Sequence, residues 1–176
     1  MPDAAGQESC PMPSTRGPTQ SRRRSAGILL WRKNHGQLEV LLGHPGGPYF
    51  ARKDAGHWTV LKGEMEGDDD PVEVARREFA EETGHQVPDG PLLELGEIRQ
   101  AGGKIVVAWA VEGDLVPDHA VSNRFEMEWP PRSGRTQEFP EIDRIDWFDL
   151  STARTMILAA QALFLDRLEH VVSERT

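Results

Sequence analysis

The stretch GEMEGDDDPVEVARREFAEETGH, residues 63–85, carries helix signals at both ends and an acidic face between them. Asp70 precedes Pro71, so a side chain suited to N-capping is followed by the residue best tolerated at the first helical position. Gly84 supplies the left-handed backbone that commonly ends a helix. These signals predict a helix over Pro71–Thr83.

The predicted helix brings three carboxylates together. Glu78, Glu81 and Glu82 stand at positions i, i+3 and i+4, which share one face at about 100° per residue. Three like charges in a partly buried site repel, and an oxygen-preferring divalent cation removes that cost. The pattern therefore predicts a hard-metal site, with Mg²⁺ as the first choice and Mn²⁺ as the next. The alternative is a solvated acidic face held by surface ion pairs.

The spacing of this segment resembles the Nudix box, the signature of enzymes that hydrolyse nucleoside diphosphates linked to another group. The matching positions are Gly63, Arg77, Glu78, Glu81, Glu82 and Gly84. The resemblance implies an α/β/α sandwich with a mixed β-sheet, whereas the pattern of elements alone indicates only an α/β or α+β protein. The chain departs from the usual box at Leu61, Asp69 and His85, where the family commonly has Pro, Glu and an aliphatic residue.

The resemblance also assigns roles within the segment. It makes Glu78 and Glu82 the principal metal ligands, Glu81 an additional ligand and the backbone carbonyl near Gly63 another. Arg77 is expected to orient Glu78 or Glu82 through a charged hydrogen bond, unless it forms an ordinary surface ion pair. These residues are the predicted catalytic and metal-binding set.

The general base is not fixed by the box. Acidic candidates later in the chain are Glu126, Glu128, Glu138 and Glu141. We place Glu138 and Glu141 first, because the stretch 130–140 contains Pro and Gly and is predicted to be a loop that reaches the cleft. Glu141 is the candidate carried forward as catalytic.

Cationic and aromatic residues are candidates for substrate binding. Lys62 precedes the box and can meet a phosphate as a point charge, and Arg132 and Arg135 could hold further phosphates. Aromatic residues that could stack on a base are Tyr49, Phe50, Trp109 and Trp129, although the apolar surroundings of Trp109 favour the core.

The stretch WTVLKG, residues 58–63, resembles the entry to the box in the dinucleoside polyphosphate and diphosphoinositol branch of the family. A nucleotide-type substrate with a dinucleoside polyphosphate chain is therefore favoured. The alternatives are a house-cleaning nucleoside triphosphate pyrophosphatase, an ADP-sugar or NADH pyrophosphatase, and a nucleotide-sensing protein without turnover. Retention of all three box carboxylates favours catalysis over sensing.

Composition narrows the remaining possibilities. The 176 residues suit one domain, and the net charge of −9 makes nucleic acid an unlikely partner. No apolar run is long enough to span a membrane, and the lone Cys10 fits a reducing cytoplasm. The Pro-, Ser-, Gly- and Arg-rich start predicts a flexible arm over residues 1–24, followed by the hydrolase domain over 25–176.

The flanking patterns predict further elements. We expect strands at Ala26–Trp31, Leu38–Leu42, Trp58–Leu61, Leu92–Arg99, Lys104–Val111, Phe125–Trp129 and Ile145–Phe148. A final amphipathic helix is predicted over Met156–Val172.

Overall fold

The computed structural model describes residues 23–117 and 122–175. Its strands are β1 (Arg24–Asn34), β2 (Gln37–Pro45), β3 (Leu61–Glu64), β4 (Leu93–Arg99), β5 (Ile105–Glu112), β6 (Arg124–Glu128), β7 (Thr136–Pro140) and β8 (Ile142–Asp149). Its helices are α1 (Pro71–Thr83), α2 (Leu150–Met156) and α3 (Ala162–Ser173), with short 3₁₀ turns at Ala101–Gly103 and Ala159–Gln161. Nearly all of the predicted arm, with Cys10, lies outside the described residues, and Arg24 already belongs to β1.

A mixed sheet forms the middle of the molecule. Its strand order is β4-β5-β1-β2-β8, and β3 also pairs with β1. β1 runs parallel to β5 but antiparallel to β2 and β3. The predicted mixed sheet is confirmed.

The two faces of β1 pack into different apolar clusters, because successive side chains of a strand point to opposite faces. Leu29 and Trp31 pack in a cluster that includes residues of α2 and α3, such as Ala153 and Phe164. Ile28 and Leu30 belong to a second cluster that includes Val74, Ala75 and Phe79 of α1. Helices therefore cover both faces, and the predicted α/β/α sandwich is confirmed.

The prediction of one closing helix over Met156–Val172 is wrong. α2 ends at Met156, Ile157 forms a bridge to Trp58, and α3 begins only at Ala162. The buried side chain of Gln161 accepts a hydrogen bond from Val60 N at 2.8 Å. These contacts with the segment before β3 interrupt the helical pattern.

The prediction of a loop over residues 130–140 is also wrong in part. β6 and β7 form a separate two-stranded antiparallel sheet in which Phe125 lies opposite Phe139. The irregular part is confined to the turn around residues 130–135. We call this two-stranded sheet the β6–β7 hairpin.

Candidate active site

Capping fixes the ends of α1, and packing sets its rotation. Asp70 Oδ1 accepts hydrogen bonds from the backbone N atoms of Val72 and Glu73 at 2.9 and 3.1 Å. Gly84 adopts the left-handed conformation at φ 75° and ends the helix. Because Ala75 and Phe79 are fully buried, the face carrying the box carboxylates turns toward β3.

Gly63 in β3 lies against the carboxylate of Glu78. A Cβ atom at Gly63 would overlap Cγ, Cδ and Oε2 of Glu78. Only glycine therefore allows this side chain to lie against the strand backbone. Gly63 and Glu78, both of which the box resemblance assigns to the metal site, therefore lie side by side.

Glu82 is the most buried carboxylate of the group, with 5% of its surface exposed. Its Oε2 atom has no hydrogen-bond partner among the described residues. Burial raises the pKa of Glu82 from 4.5 to about 8, and repulsion from Glu78 and Glu141 adds to the increase. The charge of Lys62 and a hydrogen bond from its backbone act in the opposite direction.

Lys62 supplies a positive charge that acts on Glu82. Burial lowers the pKa of the Lys62 ammonium group, while the carboxylates of Glu82, Glu64 and Glu78 oppose that change. Lys62 is only partly buried, and it and Glu82 each stabilise the charged form of the other. The sequence placed Lys62 beside the box but gave no sign of this pairing.

Arg77 contacts Glu78 as predicted. Arg77 Nη2 donates a hydrogen bond to Glu78 Oε1 at 3.2 Å, and the Glu78 side chain is only 13% exposed. Burial raises the pKa of Glu78, the bond from Arg77 lowers it, and the charges of Glu81 and Glu141 raise it further. The structure therefore holds Glu78 in a negative field that a cation would relieve.

Lys62, Gly63, Arg77, Glu78 and Glu81 border an open cleft of ≈ 770 Å³, whereas the buried Glu82 is not among the residues that line it. Besides Lys62, Gly63, Arg77, Glu78 and Glu81, its walls carry Glu64, Glu66, Asp69, Lys104, Asn123 and Glu141. Lys104 Nζ lies 3.0 Å from Glu64 Oε1, and Asn123 Nδ2 donates to Glu81 Oε2 at 2.8 Å. The cleft is strongly acidic but contains two lysines.

The structure separates the candidate bases. Glu141 lines the cleft, whereas Glu138 projects from the β6–β7 hairpin, 60% exposed, with its carboxylate 3.5 Å from Arg124 Nε. Glu126 and Glu128 are also exposed on that hairpin and are not among the residues that border the cleft. Position thus favours Glu141, whose catalytic role stays a prediction.

The predicted arginines and aromatic residues lie elsewhere. Arg132 and Arg135 occupy the exposed turn of the β6–β7 hairpin, outside the cleft walls. Tyr49 packs edge-on against Trp129 with ring centroids 5.5 Å apart, also outside those walls. Trp109 packs against the buried cluster beneath α1, as expected for a core residue.

Sequence reasoning missed Lys104 and Asn123. Lys104 follows the Gly102-Gly103 turn, and its position reaches the cleft only because β5 lies beside β1. Asn123 is 42 residues away from Glu81 in the sequence, so no local pattern indicates their hydrogen bond.

The donor set suits a hard divalent cation. Its side-chain oxygens all come from carboxylates, and the buried Glu82 Oε2 lacks a partner. No three His, Cys, Asp or Glu side chains within residues 23–117 and 122–175 already converge tightly enough to form a metal site. The same described part of the chain contains no helix with the length and apolar character needed to cross a bilayer.

A family model described as NUDIX domain matches residues 21–168. The chain belongs to the NUDIX family. Enzymes of this family generally use divalent metals, in agreement with the carboxylate cleft.

Three individual proteins resemble this NUDIX chain. An octanoyltransferase from Myxococcus xanthus is 34% identical over 98 residues, which is 56% of this chain and 24% of that protein, so the match spans about a quarter of the relative. The C. elegans Ap4A hydrolase in a binary complex has a TM-score of 0.60 at 22% identity, covering 86% of this chain and 98% of that one. The NUDIX domain of Shewanella oneidensis NrtR complexed with ADP ribose has a TM-score of 0.59 at 16% identity, covering 88% and 90%. The two structures share the fold of this chain.

Proposed function

We propose that this NUDIX protein hydrolyses a pyrophosphate linkage in a nucleotide-type substrate with the help of a divalent cation. The observation that carries the proposal is the acidic cleft bordered by Glu78, Glu81 and Glu141. The charges of Glu78 and Glu141 also act on the neighbouring buried carboxyl group of Glu82, whose Oε2 atom has no hydrogen-bond partner among the described residues. Mg²⁺ is the first choice of cation and Mn²⁺ the second, because both prefer carboxylate oxygens.

Each carboxylate has a separate role in this proposal. Glu78 and Glu82, with the carbonyl near Gly63, would hold the cation, and Glu81 would supply a further ligand. A divalent cation held by these residues would supply neutralisation of the charge that develops during phosphoryl transfer. Arg77 keeps Glu78 oriented through its 3.2 Å hydrogen bond.

The opposite wall and the lysines complete the site. Glu141 is the proposed acceptor of a proton from an attacking water. This role is supported by its position at the cleft and by the effect of its charge on Glu78 and Glu82. Lys62 and Lys104 can meet the non-bridging oxygens of the substrate phosphates as point charges. The negative field of the site otherwise repels a polyphosphate, so these cations and the metal are both needed.

Two variants and a chelator test the chemistry. Glu82→Gln removes a ligand charge at nearly constant volume and should lower the rate at least about a hundredfold. Glu138→Gln is the matched control, because Glu138 is exposed and outside the cleft walls, and it should retain wild-type turnover. Excess chelator should abolish activity in wild type. Full turnover in chelator, or an active Glu82→Gln enzyme, would contradict the proposal.

Within this function, a dinucleoside polyphosphate is the favoured substrate. The WTVLKG entry to the box supports this choice, as does the fold shared with an Ap4A hydrolase. Arg132 and Arg135 lie outside the cleft walls, so they can contact only a substrate that extends beyond the cleft. A nucleoside triphosphate pyrophosphatase is the alternative, followed by a nucleotide sensor without turnover.

A side-by-side kinetic comparison decides the substrate. A dinucleoside tetraphosphate should have a higher kcat/KM than a nucleoside triphosphate and should release a mononucleotide. Replacing Arg132 and Arg135 together by Ala should reduce the difference in kcat/KM between the two substrates. The main effect should be a higher KM for the tetraphosphate, because these arginines would contact phosphates of the bound ground state. Products are separated by ion exchange. Equal or better efficiency on triphosphates, with release of pyrophosphate, would support the alternative.

A further inference from the structure

Asn123 joins the two walls of the cleft. Its Nδ2 atom donates a hydrogen bond to Glu81 Oε2 of α1 at 2.8 Å. Its backbone oxygen accepts a hydrogen bond from Glu141 N, also at 2.8 Å. One residue therefore contacts a box carboxylate through its side chain and the backbone of the candidate base through its main chain.

The position of Asn123 is fixed from both sides. Ser122 Oγ accepts from Ile142 N and donates to Ile142 O, both at 2.9 Å. On the other side, Arg124 is paired with Pro140 in the ladder between β6 and β7. Because its neighbours are held in this way, Asn123 can orient Glu81 without moving to follow it.

The wall that carries Glu141 is anchored as well. Gly46 N donates to Glu141 O at 2.9 Å, and a Cβ atom at Gly46 would overlap the backbone oxygen of Pro140. The end of β2 therefore packs closely against the bend between β7 and β8. Through its hydrogen bond to Glu81, Asn123 holds this side chain of α1 in a fixed position relative to the wall that carries Glu141.

An amide suits this position chemically. It occupies one oxygen of Glu81 and leaves the other free, and as a neutral donor it does not compete with a cation for the charge of the carboxylate. An arginine or lysine would satisfy the same oxygen but would cancel part of the negative field. The choice of Asn therefore keeps Glu81 both oriented and available.

We infer that Asn123 is a positioning residue. It holds Glu81 in the orientation required for cation binding and turnover, and it fixes the position of Glu81 relative to Glu141. The inference rests on the proposed function for its kinetic consequence. The claim that Asn123 acts through Glu81 can also be tested by cation binding, which does not require the protein to hydrolyse a substrate.

The test is a double-mutant cycle of Asn123→Ala, Glu81→Ala and the combined variant. In the wild-type background, Asn123→Ala should lower kcat by about tenfold with KM changed less than about twofold, because a hydrogen bond to a charged group is lost. In the Glu81→Ala background, the same change should alter kcat by less than about twofold, because its target is gone. A merely structural residue would give the same factor in both backgrounds, and that result would overturn the inference.

A second variant at Asn123 and a control variant outside the cleft test whether the effect is specific to the contact with Glu81. Asn123→Asp keeps the size of the side chain but places a like charge beside Glu81, so it should lower kcat more than Asn123→Ala does. Asn34→Asp is the matched control, since Asn34 Nδ2 also donates to a glutamate, Glu39 Oε1 at 3.2 Å, outside the cleft walls. It should leave kcat unchanged. Equal losses from the two Asp variants, or wild-type kcat in Asn123→Asp, would also overturn the inference.

Binding of Mn²⁺, measured by calorimetry on the same four proteins of the cycle, separates this inference from the proposed function. We expect Asn123→Ala to weaken Mn²⁺ binding several-fold only when Glu81 is present. If wild type binds Mn²⁺ with this pattern but hydrolyses no nucleotide, the proposed function fails and the positioning role stands. Additive effects on Mn²⁺ binding would refute the positioning role even in an active enzyme.

Discussion

The buried carboxyl group of Glu82 should make the metal-free protein lose stability as the pH rises. Burial raises its pKa from 4.5 to about 8 in the folded state. Between these values the folded protein keeps a proton that the unfolded chain has released, so the free energy of unfolding falls with increasing pH. The slope approaches roughly 1 kcal/mol per pH unit, which amounts to a few kcal/mol over the whole interval.

The lowered pKa of Lys62 has the opposite effect on stability, at pH values between its folded-state pKa and its ordinary value. Its lowered pKa means that the folded protein releases this proton before the unfolded chain does at 10.5. Between the two pKa values of Lys62, the free energy of unfolding rises with pH, opposite to the effect of Glu82. The Glu82→Gln variant isolates the carboxyl contribution, because glutamine has nearly the same volume and does not titrate.

Urea unfolding between about pH 5 and about pH 8, in chelator, measures the effect. Wild type should lose stability across this interval, and Glu82→Gln should show a much flatter profile. Glu81→Gln is the matched control, because Glu81 is less buried and its carboxylate is hydrogen-bonded to Asn123, and it should follow wild type. Parallel profiles for wild type and Glu82→Gln would refute the reasoning.

A divalent cation should reverse the trend. Binding to the folded state alone raises the free energy of unfolding by RT ln(1 + [L]/Kd), and the cation displaces the proton from Glu82. Wild type in excess Mg²⁺ or Mn²⁺ should therefore become more stable toward pH 8, while Glu82→Gln gains less. A cation effect of equal size in both proteins would place the cation away from Glu82.

Two further predictions concern glycine packing and the N-terminal arm. Gly63→Ala should lower kcat by about a hundredfold with little change in Tm, since the added Cβ meets the side chain of Glu78 and displaces it. Gly27→Ala should instead cost roughly 1–3 kcal/mol, because its Cβ would lie 2.5 Å from the backbone oxygen of Leu61. Thermal melts and steady-state kinetics distinguish the loss of activity in Gly63→Ala from the loss of stability in Gly27→Ala. Similar changes in Tm and kcat in both variants would contradict the packing of Gly63 against Glu78. Deleting Met1–Ser21 should leave Tm within about 5 °C and kcat unchanged, because its composition offers little apolar surface; a larger loss would show that the segment packs on the domain.

Local signals explain what the sequence could predict. The bounds of α1 agree with the predicted Pro71–Thr83, because Asp70, Pro71 and Gly84 act within a single turn of each helix end. The carboxylate face follows from helical geometry alone. The fold class followed from the box resemblance, and the alternating burial along β1 shows how a single strand joins both apolar layers.

Tertiary contacts explain what the sequence could not predict. The apolar pattern from Met156 to Val172 is compatible with one helix, but Ile157 pairs with Trp58 and Gln161 binds the backbone of Val60. Both partners are about a hundred residues away. No local stretch of sequence therefore shows that these contacts compete with a continuous helix. The same holds for β7, which becomes a strand because β6 supplies its hydrogen-bonding edge.

The candidate base illustrates how the two kinds of information combine. The sequence offers four glutamates in one segment, and the predicted loop over residues 130–140 favours only Glu138 and Glu141 among them. Three of them, Glu126, Glu128 and Glu138, lie on the exposed β6–β7 hairpin, where strand pairing holds them outside the cleft walls. Glu141 lies at the bend into β8, and its backbone is held on one side by Gly46 N and on the other by the oxygen of Asn123. Two backbone hydrogen bonds therefore fix the position of Glu141 at the cleft. Such bonds do not depend on the identity of the side chain, so they leave no trace in the sequence.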